Sequence, residues 1–95
     1  MEKLICSAIW FPLEETMLHL PTNLRKGLVI GGRRHHEILE VYRMLDGKHR
    51  RDYTQGFLTT ENRFVDRIEG LRIALESEQV LESETANQLY SEDLY

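Results

Sequence analysis

One cysteine, Cys6, occurs in the 95 residues. That excludes an intramolecular disulfide and any paired-cysteine metal or redox motif, and it fits a reducing compartment. Cys6 lies inside an apolar run, so it reads as a small buried hydrophobe rather than a nucleophile. Apolar runs are short, and none approaches the roughly 18 residues of a membrane-spanning helix. The N-terminus has no signal-peptide cleavage pattern, which makes the expected location cytoplasmic. There is no Gly-x-x-x-x-Gly-Lys-Ser/Thr phosphate loop, no His-Glu-x-x-His zinc motif and no legible Ser-His-Asp or Cys-His set. Cations are missing from the end of the chain: all twelve Lys and Arg precede Ile73, whereas six of the sixteen acids follow it. Such an acidic segment repels a phosphate backbone and disfavours long nucleic acid, while a local anion pocket stays compatible with it.

What is present describes one small domain with an α+β body over 1–78 and an acidic C-terminal tail over 79–95. Lys3 to Phe11 is nearly continuous apolar sequence and predicts a central strand buried on both faces, stopped by Pro12. Thr16 to Leu20 alternates and predicts a second strand, hairpin-paired to the first. Gly27 to Gly31 predicts a third, and Tyr53 to Thr60 a fourth. Helical spacing predicts a first helix from Arg33 to Leu45 with Ile38, Val41, Tyr42 and Leu45 on its apolar stripe, ended at Asp46-Gly47. A second helix, capped by Asp66, runs to about Ser77 with Val65, Ile68, Leu71 and Leu75 as its stripe, weakened by Gly70. The expected fold is a small antiparallel sheet of about four strands packed with two helices.

The most informative stretch is Gly31-Gly32-Arg33-Arg34-His35-His36, where an apolar strand turns into the first helix. Unpaired N–H groups and the positive end of the helix dipole lie beside two guanidiniums, which suits phosphate oxygens. Arg63 and Arg67 flank the start of the second helix. Phe57, Phe64, Trp10 and Tyr42 are the nearest rings for stacking a base, and Asn62, Thr59 and Asp66 are polar groups able to read its edge. A metal is not expected: His36 and Glu40 share a helix face, but adjacent His35 and His36 diverge by about 100°. Two other readings stay open. One is a small phosphodiesterase using His35 or His36, although neighbouring histidines straddle one phosphate poorly. The other is an adaptor that binds nucleic acid or protein through the basic loop Lys48-His49-Arg50-Arg51.

Five motifs occur in order: Ile5-Cys6-Ser7-Ala8-Ile9, Gly31-Gly32-Arg33-Arg34-His35-His36, Gly56-Phe57-Leu58-Thr59, Arg63-Phe64-Val65-Asp66-Arg67 and Ser91-Glu92-Asp93-Leu94-Tyr95. Through them the chain resembles, over almost its whole length, small phage proteins that sequester cyclic-nucleotide immune signals. These are the sponges that oppose the bacterial Thoeris and CBASS defences, and the likeness is greatest to short members carried by T4-like phages. The resemblance implies an α+β homo-oligomer that holds its ligand near subunit interfaces without cleaving it and needs no cofactor. The implied ligands are cyclic ADP-ribose isomers or cyclic di- or oligonucleotides. It implies phosphate contacts at Arg33, Arg34, His35 and His36, ligand framing at Phe57, Leu58 and Thr59, and further contacts at Arg63, Phe64, Asp66 and Arg67. Trp10, Tyr42 and Asn62 are additional candidates. Leu94 and Tyr95 are candidates for docking on a neighbouring subunit or closing the pocket. The chain is shorter than some members between its first helix and Gln55.

Overall fold

Three consecutive buried residues, Ser7, Ala8 and Ile9, mark Leu4–Phe11 (β1) as a strand covered on both faces. In the computed structural model, which describes residues 1–13, 19–46, 52–80 and 89–90, β1 is flanked on both edges. Leu28–Gly32 (β2) and Thr54–Thr59 (β3) each pair with it antiparallel. Phe64–Asp66 (β4) adds to β3, giving a four-stranded antiparallel sheet of order β2-β1-β3-β4. The helices are His35–Asp46 (α1), between β2 and β3, and Arg67–Glu76 (α2), directly after β4. Because β2 and β3 run the same way on either side of β1, α1 must cross over β1 to join them.

Cross-strand partners share a face of a sheet. Ser7 pairs with Gly32 on one side and with Phe57 on the other. A side chain at Gly32 would meet Ile38 of α1 at 2.9 Å, and one at Gly70 of α2 would meet Phe57 at 2.8 Å. Both helices therefore cover this one face. Under α1, Ile9, Phe11, Ile38 and Tyr42 form a cluster in which the Phe11 and Tyr42 rings stack at 4.0 Å. Under α2, Leu4, Phe57, Val65, Ile73 and Ala74 form another, joined by Val80 and Leu89. The opposite face holds Ala8, Val29 and Phe64, with Trp10, Leu20, Leu24 and Leu58 packed against them. There Asn23 works as a false strand. Its Oδ1 accepts from the Phe64 N–H (2.8 Å) and its Nδ2 donates to the Phe64 carbonyl (2.6 Å), closing the outer edge of β4.

Several expectations need correction. The partners of β1 are β2 and β3, so Thr16–Leu20 is not its hairpin mate; His19 and Leu20 are turn and irregular chain, and 14–18 lie outside the described residues. The fourth strand is instead β4, whose three residues are too few to show a period. The α2 stripe is half right: Val65, in β4, is buried and Leu71 packs on the same cluster, but Ile68 is 67% exposed and Leu75 41%, while Gly70, Ile73 and Ala74 face the sheet. Small residues win because α2 lies so close that only glycine fits over the Phe57 ring. On α1, Ile38 and Tyr42 are buried as expected but Val41 is half exposed. Cys6 is only partly buried, and that burial pushes its thiol pKa up. The Gly47 cap, the basic loop 48–51 and the closing 91–95 lie outside the described residues.

The N-terminus is fastened to the β3–β4 turn by one carboxylate. Glu2 Oε2 accepts from Arg63 Nε (2.8 Å) and Thr59 Oγ1 (2.6 Å), and Glu2 Oε1 accepts from Arg63 Nη2 (2.7 Å). Hydrogen bonding from Arg63, then from Thr59, holds the Glu2 carboxyl down to about 2 from a usual 4.5. A depressed folded-state value means the unfolded chain binds the proton first, so this stabilisation is complete above pH 4.5 and is lost as pH falls toward 2. Glu2→Gln should lower Tm at neutral pH, and the gap to wild type should shrink in melts stepped from pH 5 to 2. A gap that stays constant over that range would assign the loss to something other than the carboxylate.

Candidate anion site where the two helices begin

Each helix starts from a residue with a defined local reason. Asp66 caps α2: its Oδ1 accepts from the N–H groups of Ile68 (3.0 Å) and Glu69 (2.8 Å), a contribution of about 1 kcal/mol. At α1 the Arg34 carbonyl accepts from the Ile38 N–H (3.2 Å), and Ser7 Oγ donates to the Arg33 carbonyl (3.1 Å), tying the turn down to β1. The two starts adjoin because both helices lie on one face and His35 reaches across it.

His35 is 4% exposed. Its Nε2 lies 2.7 Å from the Gly56 carbonyl oxygen, which can only accept, so Nε2 carries the proton and donates. The ring meets Phe57 edge-on at 5.4 Å. Nδ1 is then the acceptor, and the donor facing it is Arg67 Nη2 at 3.4 Å. The same Nη2 donates to Gln55 Oε1 at 2.5 Å. The Arg67 guanidinium carbon sits 4.3 Å from the centre of the Tyr90 ring, a cation–π contact. The Arg67 carbonyl accepts from the Leu89 N–H (2.9 Å), and Leu89 is fully buried. Among the described residues Arg67 has no carboxylate partner, and its Nε is buried with no acceptor.

A groove of about 330 Å³ opens beside this cation, lined by Tyr53, Thr54, Gln55, Asp66, Arg67 and Ile68. A partly buried guanidinium held by an imidazole, an amide and a ring keeps its whole charge for something else. The positive ends of two helix dipoles add to it, and the Asp66 carboxylate offsets part of it. What the arrangement can do is bind an anion.

A family model described as the phage T4 y16D protein matches residues 3–95. The chain belongs to the phage T4 y16D family. Comparison with curated proteins and with solved structures gave no match. Membership makes this a small protein of T4-like phage. Among the described residues no helix is long and apolar enough to cross a membrane.

The two motifs at the helix starts of this family member meet through His35 and Arg67, with Asp66 on the same groove. The other candidates are placed elsewhere. Arg33 is exposed and pairs with Glu37 at 3.3 Å; it lines a second, more apolar pocket of about 220 Å³ with Gly31, Gly32 and Val41. Arg34 is partly buried and His36 exposed beside it. Arg63 is committed to Glu2 at the far end of the β3–β4 hairpin, where Asn62 forms the turn at φ 57°. Phe57 is fully buried beneath α2, and a ring with no exposed face has none to stack on a base; Thr59 is buried at the β3–β4 turn, bonded to Glu2. Leu58, Phe64 and Trp10 belong to the opposite face of the sheet, where Trp10 Nε1 donates to the Lys26 carbonyl. Tyr42 is core, stacked on Phe11. Sequence reasoning missed Gln55, Tyr53 and Tyr90. Gln55 left a weak signal, being two residues before Phe57 and so on the face of β3 that the helices cover.

Proposed function

We propose that this y16D-family protein is a sponge that binds a cyclic nucleotide signal in the host cytoplasm and holds it uncleaved. The observation that carries the reading is Arg67: a partly buried guanidinium held, among the described residues, by neutral groups at the wall of a groove. Phosphate oxygens supply the missing counter-charge, and Tyr53 offers a ring in the same groove. The motif resemblance supplies the class of ligand, cyclic ADP-ribose isomers and cyclic dinucleotides. Holding rather than cleaving is supported by His35, whose Nε2 proton is committed to the Gly56 carbonyl inside the core and is out of reach of a leaving group. Ligand pockets run from about 300 to 1,000 Å³, so this groove takes one nucleotide unit. A second copy of the chain covers the remainder, as the implied homo-oligomer requires.

The test is calorimetric titration with a panel of cyclic ADP-ribose isomers and cyclic dinucleotides, followed by chromatography of the ligand released on heating. Saturable binding with intact ligand is expected. Recovery of a cleaved product would instead make the protein a phosphodiesterase, and absence of binding across the panel would remove the cyclic-nucleotide reading.

A further inference from the structure

Nε–H and Nη2 share one edge of a guanidinium, the side-on fork that grips two oxygens of a carboxylate or phosphate at once. In Arg67 that fork is half filled. Nη2 donates to Gln55 Oε1, while Nε is buried and has no acceptor among the described residues. A buried donor without a partner costs about 1–3 kcal/mol, and here it lies beside a donor that is satisfied by a neutral amide oxygen.

We propose that Gln55 is a placeholder: its amide oxygen occupies one of two oxygen positions of a bidentate anion site, and the ligand is an anion with two oxygens on one phosphorus. This deepens the sponge reading and rests on it for the ligand's wider identity, but the fork itself is defined by Arg67, Gln55, His35 and Tyr90. On binding, one phosphoryl oxygen takes the Nε–H and the other takes the Nη2–H that Gln55 held. Gln55 then turns its amide, presenting Nε2–H₂ as a further donor where Oε1 had been an acceptor. His35 keeps the opposite Nη2 hydrogen, since its Nε2 is fixed by Gly56 and its Nδ1 can only accept. Tyr90 covers one face of the guanidinium, and Leu89 anchors the segment that carries it. Nε is sealed from solvent, so Gln55 turns away as the ligand enters.

Gln55→Glu tests this directly, because a carboxylate there fills both positions with its own two oxygens. The probe is inorganic pyrophosphate alone, followed by calorimetry and by the ¹⁵Nε–¹H signal of Arg67. Wild type should bind pyrophosphate with a shift of that signal. Gln55→Glu should bind at least tenfold more weakly while melting higher than wild type, and its Nε signal should already be displaced without ligand. Gln55→Ala, which removes the placeholder without filling the fork, should retain pyrophosphate binding. An unmoved Arg67 Nε signal at saturating pyrophosphate, or a Gln55→Glu variant that binds as wild type does, overturns the proposal. Failure of the cyclic-nucleotide panel with these pyrophosphate results intact would overturn only the wider sponge reading.

Discussion

Gly56→Ala should abolish folding. Gly56 sits in β3 between Ala8 of β1 and Asp66 of β4. A methyl group there would lie 2.0 Å from the Val65 carbonyl oxygen and 3.0 Å from the Phe64 ring. The obstruction is backbone, which no rotamer change relieves. Neither strand can retreat: β3 is hydrogen-bonded on both edges, and Asn23 clamps β4 from outside. Moving β4 away would also drag α2, which begins directly after it at the Asp66 cap, off the Phe57 ring. Substitutions of this kind exceed about 4 kcal/mol, against a total of roughly 5–15 kcal/mol for a domain. Urea titration followed by circular dichroism should show no cooperative transition. A midpoint close to wild type would mean that the β3–β4 pairing is looser than its register indicates.

Arg67→Ala should leave the fold standing and remove ligand binding. Its guanidinium is a cation of the groove, and the groups that touch it among the described residues are neutral. Truncating one side of a desolvated, hydrogen-bonded charge pair costs about 2–5 kcal/mol, which is a loss of at least about 30-fold in affinity. The variant removes the unsatisfied Nε but takes the donor from the buried His35 Nδ1 and from Gln55 Oε1. Melting temperature should therefore fall by a few degrees, with the lost packing on Tyr90 added. Arg67→Lys separates charge from shape: a single ammonium cannot form a two-point fork, so binding should weaken without vanishing. If Arg67→Ala binds the same ligand as tightly as wild type, the anion site lies elsewhere, with Arg33 and Arg34 the next residues to change.

The parts of this molecule that sequence disclosed are those settled within a few residues. β1 was legible because eight residues of mostly apolar sequence precede a proline, and the α2 cap because Asp66 is followed by N–H groups it can reach. The paired glycines ahead of α1 mislead as a turn signal: both are strand residues of β2, neither has a positive φ, and the bend falls at Arg33. The site was only half legible. Arg63 and Arg67 belong to one motif and look equivalent, yet one is taken by a glutamate 61 residues away and the other has no carboxylate partner among the described residues. The same limit hid Tyr90, whose contact with Arg67 depends on Leu89 finding the core. The α2 stripe misled for a different reason. Apolar periodicity weighs large side chains, whereas a close helix–sheet approach is decided by small ones, here Gly70 and Ala74.

The position of β1 in the middle of the sheet sets the order in which the molecule can be assembled. Its partners are Leu28–Gly32 and Thr54–Thr59, and the core beneath α2 is completed by Leu89. The first strand made is thus among the last to be satisfied, since its longer ladder closes only after α1 has formed and crossed above it. Loop closures of this span slow folding relative to helical domains of the same size. Until then one edge of the most apolar segment of the chain stands open, and this edge is where a chaperone would act.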